Sequence, residues 1–352
     1  MNKRRVLASL LGLIAAAYCP AQSFVLDLPR SSQHALLSQR VGITDITINY
    51  HRPLVNGRRI WGSLVPYGQV WRAGANENTT ITFSDPVTIE GKPLDKGTYG
   101  LHMIPGESEW TVIFSKNSTS WGSFTYSQAE DALRVNVKPQ PTDPHEALTY
   151  DFGRIKPDST VVTLAWEKVA VPFTVGVNTK ELVAEDLHKQ LRGLAQYSWD
   201  GWDDAANYLL DNNAHLEEAL QYEDKSIQNE ERFENLLTKS RILDALGRKE
   251  DATGTRDKAL TRATPLQLHL YARQLQGQKK QEEAFAIFRS NYKKYPSEWF
   301  VHTGMARIYS AQGDFENAAK EMKTALASAP DQQKSYVDGL VRRLEAKEDI
   351  NK

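Results

Sequence analysis

Cysteine is almost missing from this 352-residue chain: Cys19 is the only one. It lies just behind Lys3, Arg4, Arg5 and the apolar run Val6 to Ala17, at Cys19-Pro20-Ala21-Gln22. A basic start, a short apolar stretch and a small-residue cleavage site form the pattern of a secretory signal. Cleavage is expected after Ala21, which removes Cys19. Tyr18 stands where a lipoprotein signal needs a very small residue, so acylation of Cys19 is disfavoured. The mature chain then has no thiol. Disulfides, cysteine nucleophiles and zinc thiolates are thereby excluded. Past the signal, no apolar run approaches 18 residues, so no transmembrane segment is expected after cleavage. Charge of one sign is lacking as well: 43 basic residues stand against 44 acidic ones, which argues against nucleic acid and against a charged membrane surface. The expected compartment is periplasmic or extracellular.

Catalytic templates are also missing. The chain contains no Gly-x-Ser-x-Gly elbow, no phosphate-binding Gly-x-x-x-x-Gly-Lys loop and no His-Glu-x-x-His helix. Its eight histidines are scattered singly, and only His51 and His102 fall in strand-like segments with turn-rich neighbours. Two ligands do not close a metal site. No metal and no cofactor are expected.

What is present divides near Val177. Residues 23–177 hold 29 charged residues, five of the eight tryptophans and twelve glycines, the texture of short strands and turns. Residues 178–352 hold 55 charged residues and long Ala/Leu/Glu/Lys/Gln runs, the texture of exposed helices. The expected organisation is a signal peptide over 1–21, a β-sandwich over 22–177 and an α-helical repeat region over 178–352. Period-two alternation marks strands at Ile43–Tyr50, Thr79–Phe83, Val87–Ile89, Tyr99–Met103, Trp110–Phe114, Leu133–Val137, Leu148–Phe152, Val161–Ala165 and Val169–Phe173. Eight or nine short antiparallel strands fit a jelly-roll-like sandwich. In the second region, Gly313, Phe315, Ala318, Met322, Ala325 and Pro330 have the spacing of a tetratricopeptide helix, preceded by Trp299, Ala306 and Tyr309. Ala272, Leu275, Ala284 and Phe288 repeat the scheme, and Ser240, Leu243, Gly247, Ala252 and Ala259 repeat it again. Leu182–Tyr197 and Asp203–Tyr222 read as two further helices, and Asp331–Ala346 as a capping helix.

The stretch from Ile46 to Asn76 contains no acidic residue. It carries Arg52, Arg58, Arg59 and Arg72 among Tyr50, Trp61, Tyr67 and Trp71. Guanidinium groups beside aromatic rings suit recognition of an anionic or hydroxyl-rich ligand. The competing and plainer arrangement lays the arginines over rings and backbone carbonyls. Asn56-Gly57 fits a tight turn with positive φ at both residues, which would put Arg58 and Arg59 on opposite faces of an outgoing strand. Glu77 follows Arg72 across the Ala73-Gly74-Ala75 turn, so an Arg72–Glu77 ion pair is expected in preference to a free acid or base. The candidate ligand site is Tyr50, Arg52, Arg58, Trp71, Arg72, Asn76 and Glu77.

Tyr50-His51-Arg52-Pro53, Asn56-Gly57-Arg58, Trp61-Gly62, Leu64-Val65-Pro66-Tyr67-Gly68 and Val70-Trp71-Arg72-Ala73-Gly74-Ala75-Asn76-Glu77 resemble the signature of domain of unknown function 2911, a family of secreted bacterial proteins. Gly97-Thr98-Tyr99, Ile104-Pro105-Gly106, Trp110-Thr111-Val112-Ile113-Phe114 and Trp121-Gly122 extend the resemblance over roughly Gln33–Val177. It implies an exported β-rich module without established activity or catalytic residues, and longer members similarly add tetratricopeptide repeats. The expected function is binding: the β-module holds a glycan, a peptide or another envelope component, with an anionic ligand among the candidates, and the repeats recruit a protein or peptide. The alternative is an exported hydrolase using Glu77 as acid or base, with Arg72 and Arg52 as anion clamps.

Overall fold

A computed structural model describes residues 29–352. The expected signal segment and Cys19 lie outside the described residues. The chain forms two compact units, divided between Thr179 and Lys180.

The first unit is a two-sheet antiparallel sandwich. One sheet contains β1 (Gln33–Val41), β2 (Thr44–Arg52), β3 (Thr80–Phe83), β6 (Gly97–Ile104), β7 (Trp110–Ser115) and β8 (Asp131–Val137), hydrogen-bonded in that spatial order. The other has the order β5-β4-β10-β9, from β4 (Val87–Ile89), β5 (Lys92–Leu94), β9 (Gln140–Lys156) and β10 (Ser159–Gly176). Alternation explains the layering: in β2, Thr44, Ile46, Ile48 and Tyr50 are buried while Asp45 and Asn49 face out. Phe114 of one sheet meets Phe173 of the other edge to face, with ring centroids 5.8 Å apart.

Two strand readings change. β1 escapes the alternation test because Leu36 is 60% exposed and only Val41 is buried, as suits an edge strand. The segments Val161–Ala165 and Val169–Phe173 are one strand. β10 bends at Glu167, whose φ is 56°, with register shifts against β9 on either side. An inserted bulge residue breaks the period-two pattern without ending the strand.

The second unit is a row of helical hairpins: α1 (Thr179–Gln190), α2 (Trp199–Asp211), α3 (Leu216–Asn229), α4 (Phe233–Ala245), α5 (Lys249–Arg262), α6 (Pro265–Gly277), α7 (Gln281–Lys294), α8 (Trp299–Ala311), α9 (Phe315–Ser328) and α10 (Asp331–Glu345). Asp203–Tyr222 is two helices and not one. Asn213 (φ 48°) and His215 (φ 46°) break it. The repeat also extends beyond the three copies legible in sequence. Asn213, Gly247, Lys279, Gly313 and Lys347 all adopt left-handed φ after α2, α4, α6, α8 and α10. In each case the next residue donates its amide to the carbonyl five positions back, at 2.8 or 2.9 Å. This is one helix-stop geometry used five times. Small residues Ala206, Ser240, Ala272 and Ala306 sit at the matching buried position of successive first helices, where close helix approach requires them.

Candidate functional site

Between β2 and β3 the chain leaves the sheet for residues 53–79, a connection long enough to need its own internal packing. It is pinned to the sandwich at Leu54–Ala147, Trp71–Met103 and Glu77–Trp121. Tryptophans fill it. The Trp71 and Trp166 rings stack with centroids 5.9 Å apart, and Trp61 meets Trp71, Trp110 and Trp166 edge to face at 5.9, 4.9 and 5.7 Å. The Trp71 indole N–H donates to the Gly74 carbonyl at 3.1 Å. Gly74 is required there, since a Cβ would come 2.4 Å from the Thr79 hydroxyl. Ala73 takes a left-handed φ of 49° and is fully buried. Its carbonyl is held by the hydroxyls of Thr79 at 3.2 Å and Tyr150 at 2.9 Å.

The candidate residues separate by what they touch. Tyr50 belongs to the core: its ring packs edge to face on Tyr150 and its hydroxyl accepts the Tyr150 amide at 3.2 Å. The Arg52 Nε donates to the Leu148 carbonyl at 3.0 Å. Asn56 and Gly57 both have positive φ, as expected of the turn. No outgoing strand follows, however, and Arg58 folds back to donate to the carbonyls of Leu54 and Val55. Asn76 (φ 58°) donates its side-chain amide to the Ser32 carbonyl at 3.3 Å. The plainer reading therefore holds for Arg52 and Arg58, whose guanidinium groups serve backbone carbonyls.

Glu77 requires a correction. Its carboxylate is paired, but with Arg30, whose Nη1 lies 2.6 and 2.8 Å from the two oxygens; Arg72 forms no ion pair with it. Sequence reasoning missed Arg30 because a partner 47 residues away leaves no local trace. The Arg30 hydrogen bonds hold Glu77 below the usual carboxylate pKa. His51 Nε2 lies 3.5 Å from the same carboxylate and 5.4 Å, ring to ring, from His34. Burial lowers the His51 pKa, against the opposing pull of the Glu77 carboxylate. Arg30, His34, His51 and Glu77 line an open cleft of about 520 Å³. Among the described residues, no group of three or more His, Cys, Asp or Glu is placed to hold a metal ion.

Arg72 is different. Its guanidinium lies over the Trp121 ring, 5.7 Å from the centroid, and its Nε is buried with no acceptor among the described residues. Burial lowers its pKa. Arg58, Trp71, Arg72 and Trp166 line a second cleft of about 320 Å³, together with Leu64 and Ser32. The indole N–H groups of Trp61 and Trp166, in the same aromatic cluster, are likewise buried without acceptors. Three unmatched donors in one neighbourhood favour an acceptor-bearing ligand. Trp61, Trp121 and Trp166 were not among the site residues expected from sequence. The concentration of five tryptophans in the β-half was the signal for them.

Residues 32–175 match the family described as "Protein of unknown function (DUF2911)". No curated protein matches the chain. Solved structures similar to it, at low superposition scores, include these two. One is the APC/C hetero-tetramer Cut9–Hcn1, at 15% identity, covering 48% of this chain and 33% of that one, with a TM-score of 0.30. The other is YrrB, titled a TPR protein with an unusual peptide-binding site, at 15% identity, 47% and 86% coverage and a TM-score of 0.26. The chain spans about a third of the length of the first. The repeat assignment rests on the hairpins themselves.

Proposed function

We propose that this is an exported recognition protein of the cell envelope, in which the β-module binds an anionic, acceptor-rich ligand such as an acidic glycan and the helical repeats recruit a protein partner. The observation that carries the reading is Arg72. It is a half-buried cation with no carboxylate or carbonyl partner among the described residues, set beside unmatched indole donors in a walled cleft. A carboxylate bound in this cleft would sit beside the Arg72 guanidinium, and a planar guanidinium recognises such a group through two parallel hydrogen bonds. Trp71, stacked on the buried Trp166, and Leu64 add apolar lining to the cleft. The hydrolase alternative has no observation in its favour, since Glu77 is engaged by Arg30 and Arg52 by the Leu148 carbonyl.

The test is calorimetric titration of the full chain with a uronic-acid oligosaccharide and with its neutral counterpart. The acidic sugar should bind and the neutral one should not, and Arg72→Gln should weaken binding about tenfold or more, roughly the worth of one charge-assisted hydrogen bond. Equal binding of the two sugars, or full affinity in Arg72→Gln, would refute the assignment. Charge reversal at Arg241 and Arg273, on the first helices of two hairpins, should abolish partner capture without loss of helicity.

A further inference from the structure

The helical unit carries a row that the β-module does not explain. Asn207, Arg241, Arg273 and Arg307 occupy the same repeat position on α2, α4, α6 and α8. Arg241 is satisfied by Asn207 at 3.0 Å and by Asp211 at 2.8 Å. Among the described residues Arg273 has only the amide oxygen of Gln276 as acceptor, at 2.8 Å. Arg307 is 3% exposed, and its Nη atoms reach the Ile350 carbonyl at 2.9 Å and the Tyr336 hydroxyl at 3.3 Å. Its Nε has no acceptor, and neither Arg273 nor Arg307 forms an ion pair among the described residues. Burial, and then the neighbouring Arg273, push Arg307 down to about 10.

The chain's own segment after α10 lies against Arg307, the last member of this row. Following the fifth helix stop at Lys347, residues 348–351 turn onto α8 and α6. Ser310 Oγ donates to the Asp349 carboxylate at 2.9 Å and accepts the Ile350 amide at 3.0 Å. Asn351 donates to the Arg307 carbonyl at 2.9 Å and accepts from Gln276 at 3.0 Å. Ile350 is buried, 4% exposed, as part of the apolar cluster that includes Ala306 and Met322. Backbone, amide and apolar side chain are thus each read separately, as in recognition of an extended peptide.

We infer that residues 348–351 are a pseudo-ligand held in cis, and that the Arg273–Arg307 row seats an extended acidic segment of a partner protein, with the order acid, apolar residue, amide, in their place. This rests on the reading of the helical unit as a recruiting array. It adds the chemistry of the partner and a competitor built into the chain.

A fluorescent peptide matching residues 345–352, and a version with its acids replaced by amides, are the probes. In the full-length Ile350→Gly/Asn351→Ala chain the acidic peptide should bind about tenfold tighter than in the unaltered chain, because the occupied fraction of the seat is released. Adding Arg273→Gln should weaken it about tenfold again, and the amide version should bind more weakly than the acidic one. Equal affinity in the unaltered and released chains, or indifference to Arg273→Gln, overturns the inference. Should the double variant fail to fold, hydrogen exchange of the Ile350 amide in the unaltered chain decides. Saturating acidic peptide should speed it, and an unchanged rate would overturn the displacement. Capture of a partner that survives Arg273→Gln would also overturn this inference while leaving the recruiting role standing.

Discussion

Arg72 and Glu77 are five residues apart in sequence but have separate partners, and that separation reverses the expectation for each. A buried ion pair broken on one side costs several kcal/mol, because the remaining charge is left uncompensated. Arg72 has no such partner. Arg72→Ala should therefore lower stability by no more than about 1 kcal/mol, the worth of its contact over Trp121, and a thermal melt would check this. Arg30→Ala should be equally mild: the Arg30 and Glu77 side chains are 41% and 45% exposed, and exposed pairs contribute at most about 1 kcal/mol. Backbone conformation offers a clearer gain. Lys279 stands where Gly247 and Gly313 stand in the neighbouring hairpins, with φ 63°. Lys279→Gly should raise the stability of the helical unit by about 1 kcal/mol, since a Cβ is disfavoured in the left-handed region. That corresponds to a Tm rise of roughly 2–4 °C. A fall in Tm would mean that the lysine side chain contributes more than its backbone strain costs.

At the scale of elements, the α2–α3 hairpin carries an internal acid pair. Glu223 is fully buried and faces Asp203, which is nearly so. Burial, and then Asp203, push Glu223 up to about 10; burial likewise raises Asp203, so the pair keeps a shared proton at neutral pH. Lys239 opposes the shift and Asp224 reinforces it. The folded hairpin thus binds a proton that the unfolded chain releases above about pH 4.5. Its contribution is present in full below that value and is lost as pH rises towards 10. Glu223→Gln keeps a donor for Asp203 and removes the proton, so it should make the helical unit more stable at pH 9 and flatten its dependence on alkaline pH. Urea titrations of both chains at pH 7 and 9 would show this. A variant as pH-sensitive as the parent would rule the pair out as the cause.

At the scale of the whole molecule, the two units should respond differently to pH. In the β-module burial lowers His102 to about 4, and its ring is held by Ser123 at 3.1 Å. A histidine buried in neutral form contributes stability that is present above about pH 6.5 and is lost as pH falls towards 4. From pH 7 to 9 that contribution is constant, whereas the helical unit loses on the order of 1 kcal/mol per pH unit through Glu223. Raising the pH across this range should lower the helical transition followed by circular dichroism. The β transition, followed by tryptophan fluorescence since five of the eight tryptophans lie in residues 23–177, should hold still because His102 stays neutral throughout this range. Parallel shifts of both would contradict these assignments.

Local chemistry made much of this legible. Strand alternation found β2, β6 and β7, and Asn56-Gly57 announced its turn, because each is set by neighbours in sequence. The small and aromatic positions of α6 to α9 revealed a repeat for the same reason. The break between α2 and α3 escaped notice because Asn213 replaces the expected glycine while keeping its backbone geometry. β1 escaped because its burial alternates while its residue types do not, Leu36 being exposed and Gln39 half-buried.

The amino-acid order by itself settled the two textures, the strand-to-helix change near residue 177 and the arginine- and tryptophan-rich stretch as the place to look. Those depend on composition and short-range periodicity, which a linear chain carries in full. Which arginine is left without a partner was decided only by tertiary structure. Arg52 meets Leu148, Glu77 meets Arg30 and Arg307 meets Ile350 across 96, 47 and 43 positions, and such pairings exist only once folding has brought the two ends of each together.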